Sequence, residues 1–254
     1  MKEFLTPLRR KIFARRTKTS VVVHGHNGNG VVPTEGTSST NDDEGLFDHL
    51  EESQSADWDR ATYSRQIKEI LFALVDNRSK DHAPRKIVMG SIDCDYAATA
   101  VIEGLSVACA TNGLRVLLVD ANFKAPRLHE DFGVENDLGM STLLNSSDPP
   151  HRMVKETEFS TLDLLASGPP SPEVSSSLAR QQLLHRLQPV APRYDFLFVD
   201  AGTLEPYHLG QIAIGCDHLV LAVQEHVAPM RALERACEFL RGERVPDPSI
   251  LIVE

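Results

Sequence analysis

The sequence predicts an α/β protein built on a doubly wound, mostly parallel sheet, and three observations carry that expectation. From about residue 86 onward, short apolar and β-branched runs recur; amphipathic stretches separate them; and two of the runs end in aspartate. A strand that is apolar on both faces must be covered on both faces, and helices that alternate with such strands supply the cover. At 254 residues the chain is long enough for one large domain of this kind with tails.

Strands are expected at Lys86–Ser91, Arg115–Asp120, Leu162–Ala166, Phe196–Asp200, His218–Gln224 and Ser249–Val253. Helices are expected near 97–111, 139–145, 173–188, 207–214 and 228–241. Ahead of the first strand, Tyr63, Ile67, Ile70, Leu71 and Leu74 recur at helical spacing, so the folded domain is read as residues 58–254. Residues 21–57 are rich in Gly, Ser, Thr, Asn, Asp and Glu and predict a disordered linker, because such a composition buries too little apolar surface to offset chain entropy. Within it, Gly45-Leu-Phe-Asp-His-Leu50 is an apolar island among acids, readable as a docking motif or as chance.

Residues 1–20 form a basic tail in which Phe4, Leu5, Leu8 and Ile12 fall at helical spacing among Arg9, Arg10, Lys11, Arg15 and Arg16. A basic amphipathic helix of this kind suits an anionic membrane surface or an acidic partner. Pro7 weakens the helix, and a solvated tail is the plain alternative. The formal net charge of −10 argues against nucleic acid as a partner, since phosphate contacts need a basic surface. Cys94, Cys109, Cys216 and Cys237 lie far apart without CxxC spacing and read as reduced core thiols of a cytoplasmic protein. No apolar run reaches the roughly 18–20 residues that span a bilayer.

Ligands of an open parallel sheet bind at the carboxyl ends of its strands. That rule directs attention to Ser91–Thr99, Asp120–Arg127 and Asp200–Glu205. An apolar strand ending in aspartate, as in Val-Leu-Leu-Val-Asp120 and Phe-Leu-Phe-Val-Asp200, places a carboxylate where a nucleotide-bound magnesium could sit. Aspartate also caps turns and helices, so Asp120 and Asp200 have a structural reading as well. Ser175-Ser-Ser177 reads as a helix N-cap or a phosphorylation site.

The stretch Arg115-Val-Leu-Leu-Val-Asp-Ala-Asn-Phe-Lys-Ala-Pro-Arg-Leu-His129, with Phe132-Gly133 and Gly139-Met-Ser-Thr-Leu-Leu144, resembles the bacterial tyrosine kinases of capsule and exopolysaccharide synthesis. The likeness continues through Leu162-Asp-Leu-Leu-Ala-Ser-Gly-Pro-Pro170 and Tyr194-Asp-Phe-Leu-Phe-Val-Asp200, and covers about residues 60–254. It implies the P-loop NTPase fold of the MinD and ParA type, and a phosphate loop ending in Gly-Lys-Ser/Thr. The glycines of such a loop let backbone N–H groups face the phosphates, and its lysine reaches the β and γ oxygens.

Laid over this sequence without a gap, the resemblance puts Ala97 at the glycine, Ala98 at the lysine and Thr99 at the magnesium-binding hydroxyl. Ile92, Ala97 and Ala98 thus mark a degenerate phosphate loop, and Asp93 and Asp95 add negative charge to it. Thr99, Asp120 and Asp200 remain as vestigial magnesium and nucleotide positions. The second strand reads Asp120-Ala-Asn122-Phe-Lys124 where the family has Asp-x-Asp-x-Arg, and Asp200-Ala-Gly-Thr203 replaces Asp-Thr-Pro-Pro. The four tyrosines, Tyr63, Tyr96, Tyr194 and Tyr207, form no cluster.

The expectation is therefore a non-catalytic, pseudokinase-like regulatory or scaffolding subunit of exopolysaccharide synthesis and export, with no cofactor. The resemblance implies as partner the cytoplasmic end of an inner-membrane chain-length or co-polymerase protein, with the chain peripheral at that membrane. The alternative is an active tyrosine autokinase using ATP and magnesium, in which Lys86, Lys124 or Arg127 replaces the lost lysine.

Overall fold

The computed structural model describes residues 19–20, 84–92, 97–180, 182–203, 205–224 and 230–253. The helix expected from residue 58, the linker with its apolar island, most of the basic tail, Cys94, Tyr63 and Tyr96 lie outside the described residues.

The strands are β1 (Thr19–Ser20), β2 (Arg85–Ile92), β3 (Val116–Asp120), β4 (Val154–Glu156), β5 (Leu162–Leu165), β6 (Phe196–Thr203), β7 (His218–Gln224) and β8 (Ser249–Val253). They form one sheet in the order β1-β8-β7-β2-β6-β3-β5-β4. The run from β8 to β5 is parallel throughout, while β1 and β4 pair antiparallel at the two edges. The helices are α1 (Ala97–Thr111), α2 (Leu128–Asp131), α3 (Met140–Asn145), α4 (Val174–Arg180), α5 (Leu183–Arg186), α6 (Pro206–Ala213) and α7 (Met230–Arg241).

Alternation along the apolar strands divides the core into two layers. Ile87, Met89, Val116, Leu118, Phe196 and Phe198 point to one face, under Val101, Ile102 and Leu105 of α1. Val88, Leu117, Val119, Leu197 and Val199 point to the other, which α3, α4, α5, α6 and α7 cover. This is the doubly wound α/β architecture that the sequence predicts, and it explains why its central strands carry no polar alternation. Each large apolar side chain withdrawn from water contributes about 1.5–3 kcal/mol, so the two layers together oppose the chain entropy.

The structure departs from expectation at several points. The helix expected over 173–188 is two short helices, α4 and α5, because Gln182 adopts an extended conformation with ψ 113°. Strand β4 is three residues long and sits at an edge, too short to show an apolar period. Ser175-Ser-Ser177 lies inside α4 rather than at its cap, and the Ser177 hydroxyl donates instead to Asn145 Oδ1 at 2.6 Å. Cys109 and Cys216 are buried free thiols, and burial pushes each up to about 12. Among the described residues no helix is long and apolar enough to cross a membrane.

The start of α3 is locked against the loop after β5. Met140 and Ser141 donate their N–H groups to Ala166 O and Ser167 O, both at 2.8 Å, and Ser141 Oγ donates to Pro169 O at 2.8 Å. A Cβ on Gly139 would lie 2.1 Å from Ala166 O and 2.4 Å from Gly168 N, both backbone atoms. Gly139→Ala is therefore expected to destabilise the chain by about 3 kcal/mol or more in urea unfolding. A loss below about 1 kcal/mol would mean that this junction yields easily.

Candidate functional site

The parallel sheet brings two of the expected site residues side by side. Strands β3 and β6 pair in a register that sets Asp120 opposite Asp200. Neighbouring strands lie about 4.8 Å apart, so both carboxylates occupy the same narrow zone at the carboxyl edge. Helix α1, entering just after β2, adds Thr99, whose hydroxyl donates to Asp200 Oδ2 at 2.6 Å. All three are buried, with Asp120 at 0%, Asp200 at 1% and Thr99 at 2% exposure.

Each carboxylate also organises backbone. Asp120 accepts from the N–H groups of Asn122 at 3.0 Å, Arg127 at 3.2 Å and Leu128 at 3.2 Å, which shapes the turn into α2. Asp200 accepts from Gly202 N at 2.8 Å. Strand β6 runs three residues beyond Asp200, and Gly202 there adopts φ +60° against the Asn122 side chain. A Cβ at Gly202 would fall 2.2 Å from Asn122 Cγ, so the amide at 122 and the glycine at 202 fit together as a pair.

A third acid joins them. Glu103 lies one turn after Thr99 on α1, is 3% exposed, and its Oε1 has no hydrogen-bond partner among the described residues. Nothing in the local pattern marks it, because a glutamate within a helix normally faces water; only its i,i+4 spacing from Thr99 places it on the same helix face. Burial, then the charges of Asp131 and Asp200, push Glu103 up to about 8. Burial and the neighbouring Asp200 push Asp120 up to about 8 against three backbone hydrogen bonds that pull it down. Burial also raises Asp200, to about 6, against the Thr99 and Gly202 bonds.

The other expected residues are dispersed. Ala97 opens α1, and Ala98 is fully buried in the core layer beneath that helix. Ile92 lines a cavity of about 750 Å³ at the carboxyl edge, together with Lys124. Arg127 forms an ion pair with Asp131 at 3.2 Å across α2, while His129 on the same helix keeps a buried Nδ1 without a partner among the described residues. Lys86 is the second residue of β2, at the opposite, amino edge, where its N–H donates to Asp217 Oδ2 at 2.7 Å. With about 3.3 Å per residue it is roughly 20 Å from Ile92, so it cannot replace a phosphate-loop lysine, which corrects that option. Tyr194 is buried and donates to Asp163 Oδ2 at 2.7 Å, whereas Tyr207 is exposed on α6. Among the described residues no group of His, Cys, Asp and Glu is arranged to hold a metal ion.

No family model matches the chain. It is 26% identical over 150 residues to the tyrosine-protein kinase YwqD of Bacillus subtilis, covering 58% of this chain and 61% of that protein. To the putative tyrosine-protein kinase CapB of Staphylococcus aureus it is 27% identical over 131 residues, covering 52% of this chain and 55% of that protein. The chain thus spans between 55% and 61% of the length of these two relatives. Among solved structures, the kinase domain of the Escherichia coli tyrosine kinase ETK superposes with a TM-score of 0.67 at 17% identity, over 86% of this chain and 82% of that one. A cobyrinic acid a,c-diamide synthase from Mycobacterium smegmatis with bound ADP and magnesium superposes at 0.56 and 17% identity, over 66% and 72%. The architecture is that of the P-loop NTPases of the MinD and ParA type.

The buried acids make stability depend on pH. The folded chain holds the Glu103 proton more tightly than the unfolded chain, whose glutamate titrates near 4.5. The stability that this group contributes is complete below about pH 4.5 and is lost as pH rises through about 8. Glu103→Gln stays neutral throughout, so it is expected to flatten the fall in Tm across that window. At alkaline pH it is expected to raise Tm by about 2–4 °C for each kcal/mol regained. Thermal unfolding followed by circular dichroism checks this; parallel pH profiles for the two proteins would show that Glu103 is not held protonated.

Proposed function

We propose that this relative of the bacterial tyrosine-protein kinases works without nucleotide, as a regulatory or scaffolding subunit of exopolysaccharide or capsule synthesis and export. The observation that carries the reading is Ala98, fully buried in the core where the resemblance puts the phosphate-binding lysine. Phosphoryl transfer depends on positive charge positioned around the phosphates, so its loss without a substitute removes the main source of transition-state stabilisation. Among the described residues Arg127 is already paired with Asp131, and Lys124 lines the cavity at the carboxyl edge.

The surroundings of Thr99 also disfavour a magnesium-bound triphosphate. Its hydroxyl is donated to Asp200, and Asp200 has Asp120 beside it and interacts with Glu103, two further buried acids. Unless a metal ion lies between them, an ionised carboxylate about 4 Å from a phosphate charge costs about 4 kcal/mol at an effective dielectric constant of 20, and Asp200, the least raised of the three acids, would carry that charge first. In this reading Asp120 and Asp200 serve the turn into α2 and the end of β6 rather than a nucleotide.

The partner implied by the resemblance is the cytoplasmic end of an inner-membrane chain-length or co-polymerase protein. In this reading the carboxyl edge of the sheet is a protein-binding surface, and basic residues 1–20 help hold the chain peripherally at an anionic membrane. Deleting the chain from its host should lower polymer yield or length. Complementation with Asp120→Asn or Asp200→Asn should restore polymer nearly as well as the parent chain, as measured by size-exclusion chromatography of the product. Loss as severe as the deletion from either stable variant would sink the proposal, because only a working phosphoryl-transfer site needs those charges.

A further inference from the structure

The 750 Å³ cavity lies between the carboxyl ends of β2, β3 and β6 and the helices α4, α6 and α7. Phe123, Val174 and Leu209 give it an apolar, buried or half-buried lining, and Lys124, His208 and Arg235 give it positive or protonatable groups. Glu205 is the one carboxylate among its described lining residues. Lys124 and Arg235 are exposed, and neither has a carboxylate partner among the described residues. A pocket of this composition suits an extended segment that offers acids next to apolar side chains.

The chain itself carries such a segment. Residues 42–52 read Asp-Asp-Glu-Gly-Leu-Phe-Asp-His-Leu-Glu-Glu, six carboxylates around Leu46, Phe47 and Leu50. We propose that this acidic apolar island docks in the cavity of its own chain, with its acids toward Lys124 and Arg235 and its apolar side chains on the Phe123, Val174 and Leu209 lining. The 31 residues 53–83 connect the island to Pro84 at the foot of β2. Even with the helix expected over residues 63–74, which spans about 18 Å, the other 19 residues can extend up to about 60 Å, and the eight residues of β2 rise about 27 Å, so the tether reaches the carboxyl edge. Tethering supplies an effective concentration of about 1 mM, so even an intrinsic Kd of about 100 µM leaves the cavity about nine-tenths occupied. The docking requires neither nucleotide nor partner and stands apart from the functional reading above. Its consequence is that any other ligand of this cavity must first displace the island.

The test uses a fluorescein-labelled peptide of residues 41–53 titrated with the full chain at low ionic strength and followed by anisotropy. The peptide is expected to bind a Leu46→Ser/Phe47→Ser chain about tenfold more tightly than the parent chain, whose own island competes. Adding Lys124→Glu and Arg235→Glu to that variant should weaken binding at least tenfold. A peptide with Lys in place of Asp42, Asp43 and Glu44 should recover binding to the charge-reversed chain, which separates loss of complementarity from loss of folding. Equal affinity for the parent and the Leu46→Ser/Phe47→Ser chain overturns the proposal, as does charge reversal without effect or without recovery. Sedimentation velocity completes the test. Self-association of the parent chain that the Leu46→Ser/Phe47→Ser variant loses would assign the island to a second copy and overturn docking within one chain.

Discussion

The hydrogen bond from Thr99 to Asp200, buried beside Asp120, is the contact on which the rest of the site depends. Register between β3 and β6 forces the two aspartates together, and α1 answers one of them with the Thr99 hydroxyl. Asp120 then fixes the turn into α2 through three backbone N–H groups, and Asp200 fixes Gly202, whose open conformation admits Asn122. Buried acids persist only when hydrogen-bonded or neutralised, and here both devices operate. The raised proton affinity of Asp120 and Glu103 lets part of the negative charge be carried as neutral acid.

In the proposed reading, acids engaged with the fold in this way leave the same positions poorly suited to nucleotide chemistry. A phosphate site needs donors and cations aimed at empty space, whereas Thr99 aims at Asp200 and Ala98, on α1, is packed into the core. The α/β architecture itself rests on the two apolar layers. Fold and activity are separable in this way, and only the residues of the site can argue for the second.

Much of the fold is legible in the sequence, because β-branched runs such as Arg115–Asp120 and Phe196–Asp200 carry strong local signals and differ from the strands only at their ends. The break at Gln182, the three-residue β4 and the one-turn α2 are not legible, since tertiary contacts rather than period decide elements that short. In the site, Thr99, Asp120 and Asp200 are readable from their places at strand ends and helix start. Glu103 is not, because its burial depends on which face α1 turns toward Asp131 and Asp200. The partnership of Asn122 with Gly202 is likewise invisible until β3 and β6 are paired.

Isothermal titration of the full chain with ATP and ADP in the presence of magnesium tests the central claim most directly. The account predicts no binding heat up to millimolar nucleotide, and no thermal stabilisation by it. Micromolar binding of either nucleotide would contradict it, because it would require a source of phosphate affinity that Ala98 and the buried acids do not provide.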